Sequence, residues 1–104
     1  MATTTKALYR GAAATSNTTL YTVPNSSTTT VVTNIAITNT AASSATATIN
    51  IDSVAVLSSV SVAANTTTFV DLKQVIPANS TPKTVSGSAS ATTVNFHISG
   101  VEIS

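Results

Sequence analysis

The chain has no cysteine and no tryptophan, and only 7% of its 104 residues are charged. Without thiols it forms no disulfide, has no thiolate nucleophile and builds no cysteine-based metal site. An average soluble domain carries about 25% charged residues, so the scarcity here is a positive feature. The basic residues are Lys6, Arg10, Lys73 and Lys83, the acidic ones Asp52, Asp71 and Glu102, and the net charge is +1. Four dispersed cations do not gather phosphates, which argues against nucleic-acid binding through counterion release. No stretch approaches the roughly 20 apolar residues of a membrane-spanning helix. The opening Met1-Ala2-Thr3-Thr4-Thr5-Lys6 lacks the apolar segment of a secretory signal. A free monomer with so little charge has weak colloidal protection, which suggests a surface that meets other protein.

Polarity comes instead from hydroxyls: 22 Thr and 15 Ser. Val and Ile supply 19 residues and Leu only 4. Side chains branched at Cβ are stiff at χ1 and suit a pleated sheet better than a helix. They recur in strand-sized groups between turn residues. Thr4–Arg10 reads as a first strand closed by Gly11, and Thr18–Val23 as a second, stopped by Pro24-Asn25-Ser26. Thr29–Asn39 is the longest, with Val31, Ile35 and Ile37 on one face and Val32, Asn34, Ala36 and Thr38 on the other. Ala45–Asp52 alternates with period two, the mark of a half-buried strand. Ser53–Leu57 and Val60–Ala64 read as two short strands around Ser58-Ser59. Thr66–Leu72 follows, then Lys73–Ile76, with room for one helical turn at most, and the loop Pro77–Pro82. Thr84–Ser90 is a strand broken by Gly87.

The last strand has Val94, Phe96 and Ile98 at spacing two, whereas Val101 and Ile103 follow out of phase. Two explanations are open. A β-bulge at Ser99-Gly100 restores a common buried face, or the strand passes there from one sheet to another. About eight short strands at turn spacings of roughly 8 to 12 residues predict an all-β antiparallel sandwich with no significant helix, either jelly-roll or immunoglobulin-like.

The residues offer little chemistry. A Ser/His/Asp hydrolase needs a base beside its nucleophile and an orienting carboxylate, yet His97 is the single histidine, on the polar face of its strand. Ser86-Gly87-Ser88-Ala89-Ser90 lacks the second glycine of a nucleophile elbow. Three scattered carboxylates form neither a glycosidase pair nor a metal site. The chain therefore reads as a non-enzyme with no catalytic residue, metal, cofactor or small-molecule substrate. Its aromatics are Tyr9, Tyr21, Phe69 and Phe96. Phe96 belongs to the core pattern, and the two tyrosines fit the edge of a core, one end apolar and the other wet. Tyr9 and Arg10 together suit a contact with a neighbouring subunit, because both residue types are enriched at interface hot spots. Lys6 and Tyr21 complete the expected interface set.

Lys6-Ala7-Leu8-Tyr9-Arg10-Gly11, Thr19-Leu20-Tyr21-Thr22-Val23-Pro24, Val32-Thr33-Asn34-Ile35, Val70-Asp71-Leu72-Lys73-Gln74-Val75 and His97-Ile98-Ser99-Gly100-Val101-Glu102-Ile103 together span most of the chain. They resemble small virion proteins of tailed bacteriophages. The resemblance implies a β-sandwich that decorates or cements the capsid exterior after synthesis in the host cytoplasm. It also implies binding to the major capsid protein and to itself, as a homotrimer by the usual symmetry of such proteins. In this reading residues 1–10 are an N-terminal strand or arm with an inter-subunit contact, and residues 11–104 are one sandwich domain. The alternative within the same resemblance is a tail or fibre module with a receptor-binding or connector role.

Overall fold

In a computed structural model that describes residues 2–104, eight strands and no helix make up the regular structure. Met1, the first residue of the expected arm, lies outside the described residues. The strands are β1 (Thr3–Ala12), β2 (Thr18–Thr22), β3 (Thr29–Asn39), β4 (Ala45–Ile51), β5 (Val54–Val62), β6 (Thr66–Ile76), β7 (Thr84–Ala89) and β8 (Val94–Ile103). They form two four-stranded antiparallel sheets of order β1-β8-β3-β6 and β2-β7-β4-β5. Successive strands alternate between the sheets except across the β4–β5 hairpin. This is the order of a jelly roll, which settles the choice left open by strand count alone. The body measures 45 × 22 × 18 Å.

The core lies between the sheets. Ile35, Ile37, Phe96 and Ile98 face it from the first sheet; Ala47, Ile49 and Val85 face it from the second. The β4–β5 hairpin turns on Asp52 and Ser53, both left-handed at φ 54° and 63°. Positive φ at both central residues is what a two-residue type I′ turn requires. β5 runs unbroken through Ser58-Ser59, where two short strands were expected, because a bulge absorbs the pair. Ser59 takes φ 48° and its N–H donates to Thr48 Oγ1 at 3.0 Å. Lys73–Ile76 continues β6 with no helical turn, held by pairing of Gln74, Val75 and Ile76 with β3. Gly87 does not break β7. It stands mid-strand, where a Cβ would press on the Thr48 carbonyl and Ile49.

Two expected face assignments are corrected by bulges. In β3 the register skips Thr33 between Val32 and Asn34. The skip turns Val32 inward and fully buried, and leaves Val31, expected beside Ile35 and Ile37, half-buried on the outer face. In β8 no residue is bulged out at Ser99-Gly100 and the strand stays in one sheet. The extra residues sit on its neighbours, Leu8 of β1 and Thr33 of β3. β8 keeps strict alternation, so Gly100 follows Ile98 on the inner face and Glu102 follows Gly100. Val101 and Ile103 fall on the outer face.

Candidate functional site

The inward turn of Glu102 creates the most connected polar cluster at this end of the sandwich. Tyr21, on β2 of the opposite sheet, is 7% exposed and donates its hydroxyl to Glu102 Oε2 at 2.5 Å. Thr30, fully buried on β3, donates to the Tyr21 oxygen at 2.8 Å. Lys6, on β1, reaches Glu102 Oε2 at 3.4 Å with its own side chain 46% exposed. Two of the expected interface residues, Lys6 and Tyr21, are thus joined through Glu102, a carboxylate that the sequence pattern does not single out. The ion pair is partly solvated and long, so it contributes little to stability. The buried phenol contributes more.

Burial, reinforced by the neighbouring carboxylate, pushes the Tyr21 pKa up from 10.0 to about 12. A phenol that ionises less readily when folded adds stability that is complete below the unfolded pKa. That stability is lost as pH rises through the folded value. Two pKa units correspond to about 3 kcal/mol. In urea titrations the wild type should therefore lose about 3 kcal/mol of stability relative to Tyr21→Phe between about pH 10 and 12. A difference constant across that range would contradict the assignment.

The other two expected residues lie elsewhere. Tyr9 folds back along its own strand, donating to the Ala12 carbonyl at 2.9 Å with its ring over Gly11. Arg10 is exposed on the outer face of the first sheet, opposite His97 in the β1–β8 register. A shallow depression opens beside it, between Lys6, Arg10, Thr33 and Ser99. Among the described residues His97 is joined to no carboxylate in an ion pair. Among the described residues no three His, Cys, Asp or Glu side chains converge.

The larger feature is the contrast between the two outer faces. On the sheet β2-β7-β4-β5 the outward rows are hydroxyl-rich: Thr19–Ser86–Asn50, Ser88–Thr48 and Ser61–Thr46. On the sheet β1-β8-β3-β6 one row reads Val75–Val31–Val101–Thr5 and another Phe69–Ala36–His97–Arg10. Phe69 is 71% exposed and Val75 59%. Isolated apolar side chains on a surface need no explanation, but contiguous rows mark an interaction surface. The sequence signal for it was the phase slip at Val101 and Ile103.

No protein-family model matches the chain, and no curated protein matches it by sequence. Two solved structures share its fold. A chain of the T13 IBDV viral particle superposes with a TM-score of 0.57 at 14% identity. A chain of infectious bursal disease virus strain Gx does so with a TM-score of 0.50 at 18% identity. Each match takes in 97% of this chain and 30% of the viral one, so the present chain spans under a third of those proteins' length. At such identities the likeness is one of fold. It is a jelly roll of the kind found in chains of icosahedral virus particles.

Proposed function

We propose that this protein is a virion structural component of a tailed bacteriophage. It decorates the capsid exterior and stabilises the shell through the outer face of the sheet β1-β8-β3-β6. The observation that carries this reading is that face, with its rows Val75–Val31–Val101 and Phe69–Ala36–His97–Arg10 set against a hydroxyl-rich opposite face. The fold shared with chains of virus particles supports it, as does the resemblance of the strand motifs to phage virion proteins. The mechanism is mechanical. A rigid sandwich spanning adjacent shell subunits buries apolar surface in both, and the lost area raises the cost of separating them. Arg10 of β1, opposite the outward His97, rims this face and is the proposed charged contact with the capsid protein.

Co-sedimentation with purified shells that lack the protein tests the reading. Wild type is expected to bind to a fixed saturating ratio. Val31→Lys combined with Arg10→Glu is expected to weaken binding by about tenfold or more, since it places a charge in the apolar row and reverses one at the rim. These point changes are preferred to removing β1, because Leu8 of that strand is part of the core. Undiminished binding of the double variant would remove this face from the account.

A further inference from the structure

We infer that β6 pairs with the β6 of a second copy, antiparallel about a twofold axis through Leu72, joining two copies into one continuous eight-stranded sheet. β6 ends the sheet order β1-β8-β3-β6, so one side of its backbone has no strand partner over Thr66–Ile76. A long open edge is a template for another strand. Of the three large apolar side chains exposed among the described residues, two are on this strand, Phe69 and Val75. Of the seven charged residues, four are consumed by the ion pairs Lys6–Glu102 and Lys83–Asp52. Two of the remaining three, Asp71 and Lys73, are also on β6.

The spacing is self-complementary. Phe69 and Val75 lie three residues either side of Leu72, and Asp71 and Lys73 one residue either side. In an antiparallel pair centred on Leu72, Asp71 of each copy faces Lys73 of the other, and Phe69 faces Val75. Both contacts occur twice. Directly opposed charges of opposite sign and opposed apolar pairs are what stabilise neighbouring antiparallel strands, and an isologous twofold contact requires such self-matching. Charges and bulges also protect sheet edges, and β6 carries an extra residue at Leu72-Lys73 opposite Thr33; the two charges of this edge, being of opposite sign, nonetheless attract a second copy. The arrangement is a twofold in place of the threefold implied by the phage resemblance, and it stands whether or not the protein is seated on a shell.

Sedimentation velocity on the full chain tests it. At about 100 μM the wild type is expected to sediment at twice the 10.4 kDa of one chain. Asp71→Lys or Lys73→Asp alone opposes like charges twice and is expected to weaken the dimer by about tenfold or more. The double exchange, Asp71→Lys with Lys73→Asp, restores the complementary pattern and is expected to return the dimer to near wild-type affinity. Should a charge variant fail to fold by circular dichroism, Phe69→Thr is expected to weaken the dimer about as much. A monomeric or trimeric wild type, or a dimer indifferent to these changes, would overturn the inference.

Discussion

Replacing Gly100 by alanine is expected to destabilise the fold by about 3 kcal/mol, a fall in Tm of roughly 10 to 20 °C for a domain of this size. Gly100 lies on the inner face of β8, a strand held on both sides by β1 and β3. A Cβ there would press into the backbone carbonyl of Val31 and into Leu8 Cδ1. Leu8 could change rotamer, but the carbonyl belongs to a paired strand and moves only with the sheet. The flanking bulges at Leu8 and Thr33 leave little slack for such a shift. The gain from replacing glycine in a strand, of order 0.5 to 1 kcal/mol, does not offset this overlap. Gly11→Ala is the control. Its Cβ would meet only the Tyr9 ring, nearest at the hydroxyl 3.1 Å away. That contact is with the far end of a half-exposed side chain, which can give way at the cost of its one exposed hydrogen bond to Ala12, so a change under about 1 kcal/mol is expected. Equal losses at Gly11 and Gly100 in urea denaturation would show that lost glycine flexibility, and not close approach, governs both sites.

Asn39→Ala should be nearly as damaging, at about 3 kcal/mol. Asn39 is fully buried at the end of β3, yet every polar atom of its amide is used. Its Nδ2 donates to the carbonyls of Ser43 at 2.8 Å and Val62 at 3.2 Å. Its Oδ1 accepts from the Ala41 N–H at 3.0 Å and the Thr93 hydroxyl at 3.4 Å. One side chain therefore closes the β3–β4 loop, the end of β5 and the β7–β8 turn. Truncation leaves buried carbonyls and an N–H unpaired, and each unpaired group costs about 1 to 3 kcal/mol unless water enters. Asn39→Asp separates chemistry from shape. The carboxylate fits the same space but accepts only, so it faces two carbonyls it cannot satisfy. At neutral pH it is expected to be at least as destabilising as alanine. Asn50→Ala, which removes one exposed bond to Asn17, should cost under about 0.5 kcal/mol. A small loss at Asn39 would mean that water replaces the amide.

The strand pattern was legible wherever a side chain's own position in the alternation decided its fate. Thr29–Asn39 and Val94–Ile103 carry the expected strand bounds, and Ala45, Ala47 and Ile49 point inward as period two requires. Bulges were not legible, because one skipped residue reverses every face beyond it while leaving composition unchanged. Thr33 exchanged the roles of Val31 and Val32 in this way. The slip at Val101 and Ile103 is visible in the sequence, but neither a bulge in β8 nor a change of sheet accounts for it: β8 alternates without fault and turns two apolar residues outward. The extra residues sit on its neighbours β1 and β3, and Glu102 meets Tyr21 of the opposite sheet, 81 positions away. Sheet order, which distinguishes jelly roll from immunoglobulin-like sandwich, is likewise a matter of long-range pairing. Of the residues expected at an interface, Lys6 instead meets Glu102 and Arg10 lies exposed on the outer face of the first sheet. The exposed Phe69 was marked only by its place opposite Thr68 and Val70 in the alternation of β6.

The proposed role is that of a structural part of a virion. Quantitative mass spectrometry of purified particles, with the major shell protein as internal standard, tests it most directly. Hundreds of copies in simple ratio to the shell protein are expected for a decoration protein. A handful would move the chain to the tail or a fibre, and its absence from purified particles would contradict the claim.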